Sequence, residues 1–337
     1  LTRKRDEFIQ KAPLHVFVLV GVSILMFFLV RVIPGDPIAN VLGPMATKET
    51  VEKMRHEMGL DRPIYIQYLY YVKGIARGDL GMSLVEQRPI ATIIKEKLPA
   101  TAELVLLSIA LAVILAIPLG VNSALHRNKF TDHINRIIAL FGLSFPQFWI
   151  GIMLQLLFGY ALAYLPLTGR ISGAPPDPIT GFYLIDSVLT VNFRAFWDSF
   201  IHILMPTIVL CLGPLATITR LIRANMIDQM NKDYINISRA TGMPKPLISY
   251  KYMLRNAFSS ALTMIGFLIP LMLGTAFVVE KVFAWPGIAR YGADAILSND
   301  FNGVVGVTLV ISLVFVIVNF AVDELYGVLD PRIRMKR

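Results

Sequence analysis

The amino-acid sequence predicts an all-α membrane protein with six transmembrane helices, and three observations carry that prediction. Apolar residues make up 55% of the 337 and charged residues 16%, against about 45–50% and about 25% in ordinary soluble domains. Several stretches run long without Asp, Glu, Lys or Arg, and crossing ~30 Å of hydrocarbon takes ~20 helical residues. The single cysteine, Cys211, excludes an intrachain disulfide framework and a thiolate metal cluster.

The apolar runs fall at 12–30, 104–126, 137–169, 199–219, 256–279 and 301–322, one span each, the third followed by an apolar exit ending near Pro166. The first follows Arg3, Lys4 and Arg5, as a signal peptide would. Its apolar stretch exceeds a signal h-region, and RVIPGDP rather than a small-residue cleavage pattern comes next, so it reads as a retained helix at the end of segment 1–33. Segment 34–101 reads as a small helical region outside the bilayer. Thr47 can cap a helix with Glu49 in its first turn and Val51, Met54 and Met58 on one face, ended by Gly59. Asp61 and Pro63 open a second helix, IYIQYLYYVKGI, closed by GDLGMS at 78–83. These helices either cap the membrane bundle or meet an external partner. Segment 102–322 holds the other five spans and 323–337 is a tail. Prolines 118, 146, 206, 214 and 270 interrupt spans, as static kinks or as places where spans rearrange around a central path.

Orientation follows from the basic residues of the short loops. If both termini share one side, that side carries eighteen Lys and Arg, and the opposite loops 164–198 and 280–300 carry four. The long 34–101 segment counts little. Both termini are therefore expected in the cytoplasm. The net charge of +9 suits anionic lipid headgroups, and nucleic acid need not be invoked. Arg31, Glu103, Arg220 and Glu280 lie at span ends, where snorkelling makes a charge inexpensive.

The cytoplasmic loop 220–255 is the most informative segment. Arg220, Arg223 and Met226 extend the fourth span on one face. A short helix, DYINISRA, stops at Thr241-Gly242, Pro244-Lys-Pro246 forces a turn, and a second short helix leads into the fifth span. A helix–Gly–helix unit set beneath a membrane bundle can plug into a soluble partner as one rigid body, which a generic basic loop has no need to do.

Enzymatic motifs are missing. The sequence has no GxxxxGK[ST] phosphate loop, and His15, His56, His126, His133 and His202 form no HExxH arrangement. The serine in GLSFPQFWIG lacks a nucleophile elbow.

Across its whole length the chain resembles the membrane permease subunits of binding-protein-dependent ABC importers of the dipeptide/oligopeptide class. The resemblance is carried, in order, by IPGDP (33–37), MGLDRP with QY (58–68), GDLGMS (78–83), LPATAEL (98–104), IPLG (117–120), SFPQFWIG (144–151), LMPT (204–207), RANM (223–226), LRNA (254–257), VEKVFAWPGI (279–288) and LDPRIR (329–334). It implies the type I importer permease fold, one N-terminal helix plus a five-helix core, in a prokaryotic inner membrane. It implies a homologous second permease, two ATP-binding cassette subunits and an external substrate-binding protein as partners. ATP and Mg would sit on the ATPases, with no cofactor or metal in this chain and no catalysis by it. The family's cytoplasmic coupling loop maps onto Tyr234, Ile235, Ser238, Arg239, Ala240, Thr241, Gly242, Met243 and Pro244. Three positions depart from the family pattern: Ser238 stands where alanine is usual, Thr241 where lysine is common, and Tyr252 where histidine is common. Trp285, Pro286 and Gly287 are candidates for contact with the external protein. Dipeptides or oligopeptides are the expected solute. The same architecture serves importers of oligosaccharides, nickel complexes and opines, which are the alternative within the class, and a secondary transporter or a membrane enzyme or anchor is the alternative outside it.

Overall fold

The computed structural model describes residues 17, 20–28, 47–57, 61–83 and 85–329. IPGDP, Gly59 and most of LDPRIR lie outside them, as does much of the first apolar run. The described elements are helical: α1 (20–28), α2 (Lys48–Glu57), α3 (Ile64–Ala76), α4 (Ile90–Leu125), α5 (Phe130–Ser144), α6 (Gln147–Ala161), α7 (Tyr183–Leu189), α8 (Phe193–Met230), α9 (Asp233–Ala240), α10 (Lys245–Thr275), α11 (Phe277–Val282), α12 (Ile288–Leu297) and α13 (Phe301–Leu329).

Four of these, α4, α8, α10 and α13, are long and apolar enough to cross a membrane, and α5 with α6 makes a fifth if the pair is one span. The third run holds one of the expected proline interruptions, at Pro146. It starts at Phe130 and bends by 99° between Ser144 and Gln147. Pro146 explains the break. Its ring disfavours a helical Phe145, which is extended at φ −108°, ψ 141°, and its nitrogen cannot donate to the preceding turn. Pro206, Pro214 and Pro270 stay inside continuous helices.

The chain divides into two compact units. One comprises Leu1–Pro99 with Gly287–Val316. Here α2 begins as Thr47 foretells, with the Thr50 amide donating to the Thr47 hydroxyl at 3.3 Å. Pro63 precedes α3, and Gly78, at φ +79°, follows its end. Tyr68 and Tyr71 of α3 pack on the buried Phe27 of α1, with ring centroids 5.2 and 5.5 Å apart. The core joins Ile90, Ile93 and Ile94 of α4 to Ile288 and Tyr291 of α12 and Val307 of α13. Ser83 donates to Asp300, which also accepts the Gly303 amide and so caps α13.

The other unit comprises Ala100–Pro286 with Ile317–Arg337. Helix α8 is its axis: two-thirds of its apolar window is buried, and it packs against α5, α7 and α10. Close approach to α5 depends on Gly142, where a Cβ would sit 2.7 Å from the Leu212 Cβ and 2.9 Å from its carbonyl oxygen.

Candidate functional site

The segment between α8 and α10 is a small, internally braced unit. Asp233 opens α9, where a carboxylate meets the positive end of the helix dipole. Ile235 and Ser238, three residues apart, are buried and hold the helix against its neighbours. The Tyr234 hydroxyl donates to Gln229 Oε1 at 2.7 Å and accepts from Asn256 Nδ2 at 3.0 Å, linking α9 to both long helices. Asn225 Nδ2 donates to the Ala257 carbonyl at 3.1 Å, so RANM and LRNA meet. The Ser238 hydroxyl is satisfied by the Tyr234 carbonyl, to which it donates at 2.7 Å. The Thr241 hydroxyl is likewise satisfied within α9, by Ser238 O at 3.0 Å.

Gly242 ends α9. Its φ is +73°, its N–H bonds Arg239 O at 3.1 Å, and the Met243 N–H bonds Ser238 O at 3.1 Å. This pair of bonds is a Schellman cap, which needs a residue in the left-handed region. A Cβ added at Gly242 would meet nothing within 4 Å, so glycine is required here by backbone conformation, not by space in this chain. Pro244 then turns the chain with φ −58°, ψ 133°, and Pro246 sits in the first turn of α10, where a missing N–H costs nothing.

Ile235, Ser238, Ile248 and Ser249 are buried and anchor this unit, whereas Arg239, Ala240, Thr241, Gly242, Met243 and Pro244 are exposed. Ile237, Leu247 and Tyr250 add apolar surface, and between Asn231 and Arg255 five basic residues accompany one acid, Asp233. The surface is therefore an apolar patch in a basic frame on a rigid turn.

Sequence reasoning missed the ion pairs that fix the helices around it. Asp132 on α5 is fully buried and takes Arg223 Nε and a terminal guanidinium nitrogen of Arg223, both at 2.8 Å, together with the Ser123 hydroxyl and the Asn128 amide. It clamps α4, α5 and α8 together. Glu103 and Glu280 are not charges snorkelling at span ends: both are buried. Glu103 accepts from Arg170 at 2.5 Å and from the Leu184 amide at 2.8 Å, and Glu280 accepts from the Thr101 hydroxyl at 2.5 Å. Each carboxylate has the partner that burial demands.

The Trp285-Pro286-Gly287 turn is divided. Trp285 is 1% exposed, with its indole N–H donating to Ala100 O at 3.0 Å, and Gly287 is also buried. Only Pro286 of the three presents surface. In the 164–198 loop, burial alone would raise the Asp186 carboxyl, but the Thr180 hydroxyl and the N–H groups of Thr180, Gly181 and Ile179 outweigh it and hold the group below its ordinary range.

Residues 116–335 match the family model described as binding-protein-dependent transport system inner membrane component, and residues 7–105 match the model of the N-terminal part of such components. A probable D,D-dipeptide transport system permease protein of Escherichia coli is 39% identical over 320 residues, 94% of each chain. A dipeptide transport system permease protein of Alkalihalophilus pseudofirmus is 37% identical over 94% of this chain and 96% of its own. A glutathione transport system permease protein of Escherichia coli is 34% identical over 94% of both.

Proposed function

This chain belongs to the family of binding-protein-dependent transport system inner membrane components, and from that premise we propose that it forms part of the transmembrane pathway of an ATP-driven importer of dipeptides or oligopeptides. The relatives named for dipeptide and glutathione transport, each matched over 94% of this chain, support the peptide class. The chain is a non-catalytic permease subunit: ATP hydrolysis belongs to separate partners.

The observation that carries the mechanism is the braced turn around Gly242. It projects Arg239, Thr241, Met243 and Pro244 outward while Tyr234 and Ile235 tie it to the helices behind. In this reading the surface seats in a cytoplasmic ATPase. Closure of the two ATPases on ATP moves α9, and the Tyr234 and Asn256 bonds pass that motion to α8 and α10. A second, homologous permease completes the path, an external binding protein delivers the solute, and access alternates because the two ends bind the partners differently in each state. Six spans with both termini cytoplasmic fit this arrangement, since that topology puts α9 on the ATPase side and agrees with the basic-residue bias. Exposed Pro286 is the part of its turn available to the external protein.

The test is uptake by vesicles holding the chain with its co-purified partners. Peptides presented by the cognate external protein should enter only with ATP, while oligosaccharides and nickel chelates should not. Uptake that persists without the ATPases, or binding of sugars or nickel chelates in place of peptides by the external protein, would reject the respective half of the proposal.

A further inference from the structure

The segment 183–197 is inside out for a part of a protein lying in water. In α7, Asp186 and Ser187 are completely buried, while Ile185, Val188 and Leu189 on the same short helix are exposed. Continuing into α8, Val191, Phe193 and Trp197 are exposed at 69%, 72% and 63%. The register cannot relax by rotation. Asp186 accepts the Thr180 hydroxyl at 2.6 Å and the amides of Thr180 and Gly181 at 2.8 and 2.9 Å. Glu103 holds the Leu184 amide, and Arg170 holds the Gly181 carbonyl at 2.8 Å. A polar network fixes one face inward and leaves the apolar face outward.

The turn after α7 adds a second observation. Val191 has φ +55°, a left-handed conformation that a β-branched residue resists and that glycine or asparagine adopts readily. The turn holds the Val191 side chain 69% exposed, so the apolar surface continues from α7 into α8.

We propose that residues 183–197 are an interfacial membrane anchor, lying along the headgroup–acyl boundary of the leaflet at which α8 enters. The occupant of the exposed face is lipid. Three features select it over a protein: the face is continuous along the chain with a membrane-spanning helix, aromatic side chains sit where a span meets the interface, and the exposed Arg194 between Phe193 and Trp197 suits a lipid phosphate. The anchor would hold the 164–198 loop at fixed depth, and through Glu103–Arg170 it would tie α4 to the same level. The inference needs only that the chain spans a membrane and does not depend on which solute it carries.

The test uses the single cysteine. In a Cys211→Ala background, Val188→Cys or Phe193→Cys carries a nitroxide in the assembled complex, reconstituted in phosphatidylethanolamine/phosphatidylglycerol vesicles, and exposed Asp177→Cys is the aqueous reference. Collision with oxygen should exceed collision with a water-soluble nickel chelate several-fold more at 188 and 193 than at 177. Nickel access at 188 equal to that at 177 would place the face in water and overturn the proposal. Exclusion of both agents would mean that protein covers it and would overturn it equally. If labelling disturbs assembly, brominated acyl chains should quench the fluorescence lost in Trp197→Phe, and failure to quench it is the same refutation.

Discussion

Replacing Gly242 separates two reasons for a glycine at the tip of the α9 unit. The first is conformational: φ is +73°, and a left-handed residue with a Cβ costs roughly 1–2 kcal/mol. The second is spatial, the absence of a side chain where another protein seats. Within this chain a Cβ meets nothing within 4 Å, so the intrachain cost is the conformational one alone. One to two kcal/mol lowers the population of the capped turn about 5- to 30-fold, releasing the Gly242–Arg239 and Met243–Ser238 bonds. Asparagine tolerates this region and β-branched valine does not. Activity should therefore fall in the order Gly, Asn, Ala, Val. The assay is ATP hydrolysis by the reconstituted complex, stimulated by the solute-loaded external protein, with retention of the ATPases through purification measured alongside. Equal, severe loss in Gly242→Asn and Gly242→Val would refute the conformational argument, because only contact with a partner treats the two alike. Full activity in Gly242→Val would refute any role for the cap.

Three other expectations follow from the geometry. Glu103→Gln or Arg170→Gln alone should each destabilise the protein by about 3–5 kcal/mol, since each leaves a buried charge without its partner. The double substitution should recover part of that in thermal unfolding in detergent, and strict additivity would show that the two do not interact. Gly142→Ala should lower the unfolding temperature, because its Cβ meets Leu212 at 2.7 Å and overpacking costs about 1–3 kcal/mol. Gly213→Ala on α8, with nothing within 4 Å, should leave it nearly unchanged. Asp186 has a folded pKa below its unfolded one, so its contribution is present above the ordinary carboxylate range and is lost as pH falls through about 4 and below. Protection of the Thr180 and Gly181 amides, measured against their intrinsic exchange rate at each pH, should fall in that window, and Asp186→Asn should abolish the change.

Much of the α9 unit was legible before folding was considered, because its determinants are local. Thr241-Gly242 and Pro244-Lys-Pro246 specify a cap and a turn through their own backbone preferences, and the structure puts the cap at Gly242 and the turn at Pro244. The bracing was not legible. Gln229, Tyr234 and Asn256 meet across three helices, and no periodicity announces a hydrogen bond between residues 22 positions apart. Nor was the burial of Trp285 legible in the 285–287 turn: Ala100 O, 185 positions away, offers the indole N–H a buried partner, and an aromatic ring that can satisfy its polar atom goes inside.

By itself the sequence determined the class of environment and the local punctuation of the chain. Apolar runs of span length and the placement of Gly and Pro act through transfer free energy and backbone sterics, which each segment experiences alone. Tertiary structure alone decided which polar groups go inward. Glu103 pairs with Arg170 across 67 positions and Asp132 with Arg223 across 91, and these partners set which faces of α4, α5, α7 and α8 are buried. It also decided that Pro146 breaks a helix outright while Pro206, Pro214 and Pro270 leave theirs continuous. A proline weakens any helix in the same way, and whether the helix bends or holds depends on what neighbouring helices offer its freed carbonyls and side chains.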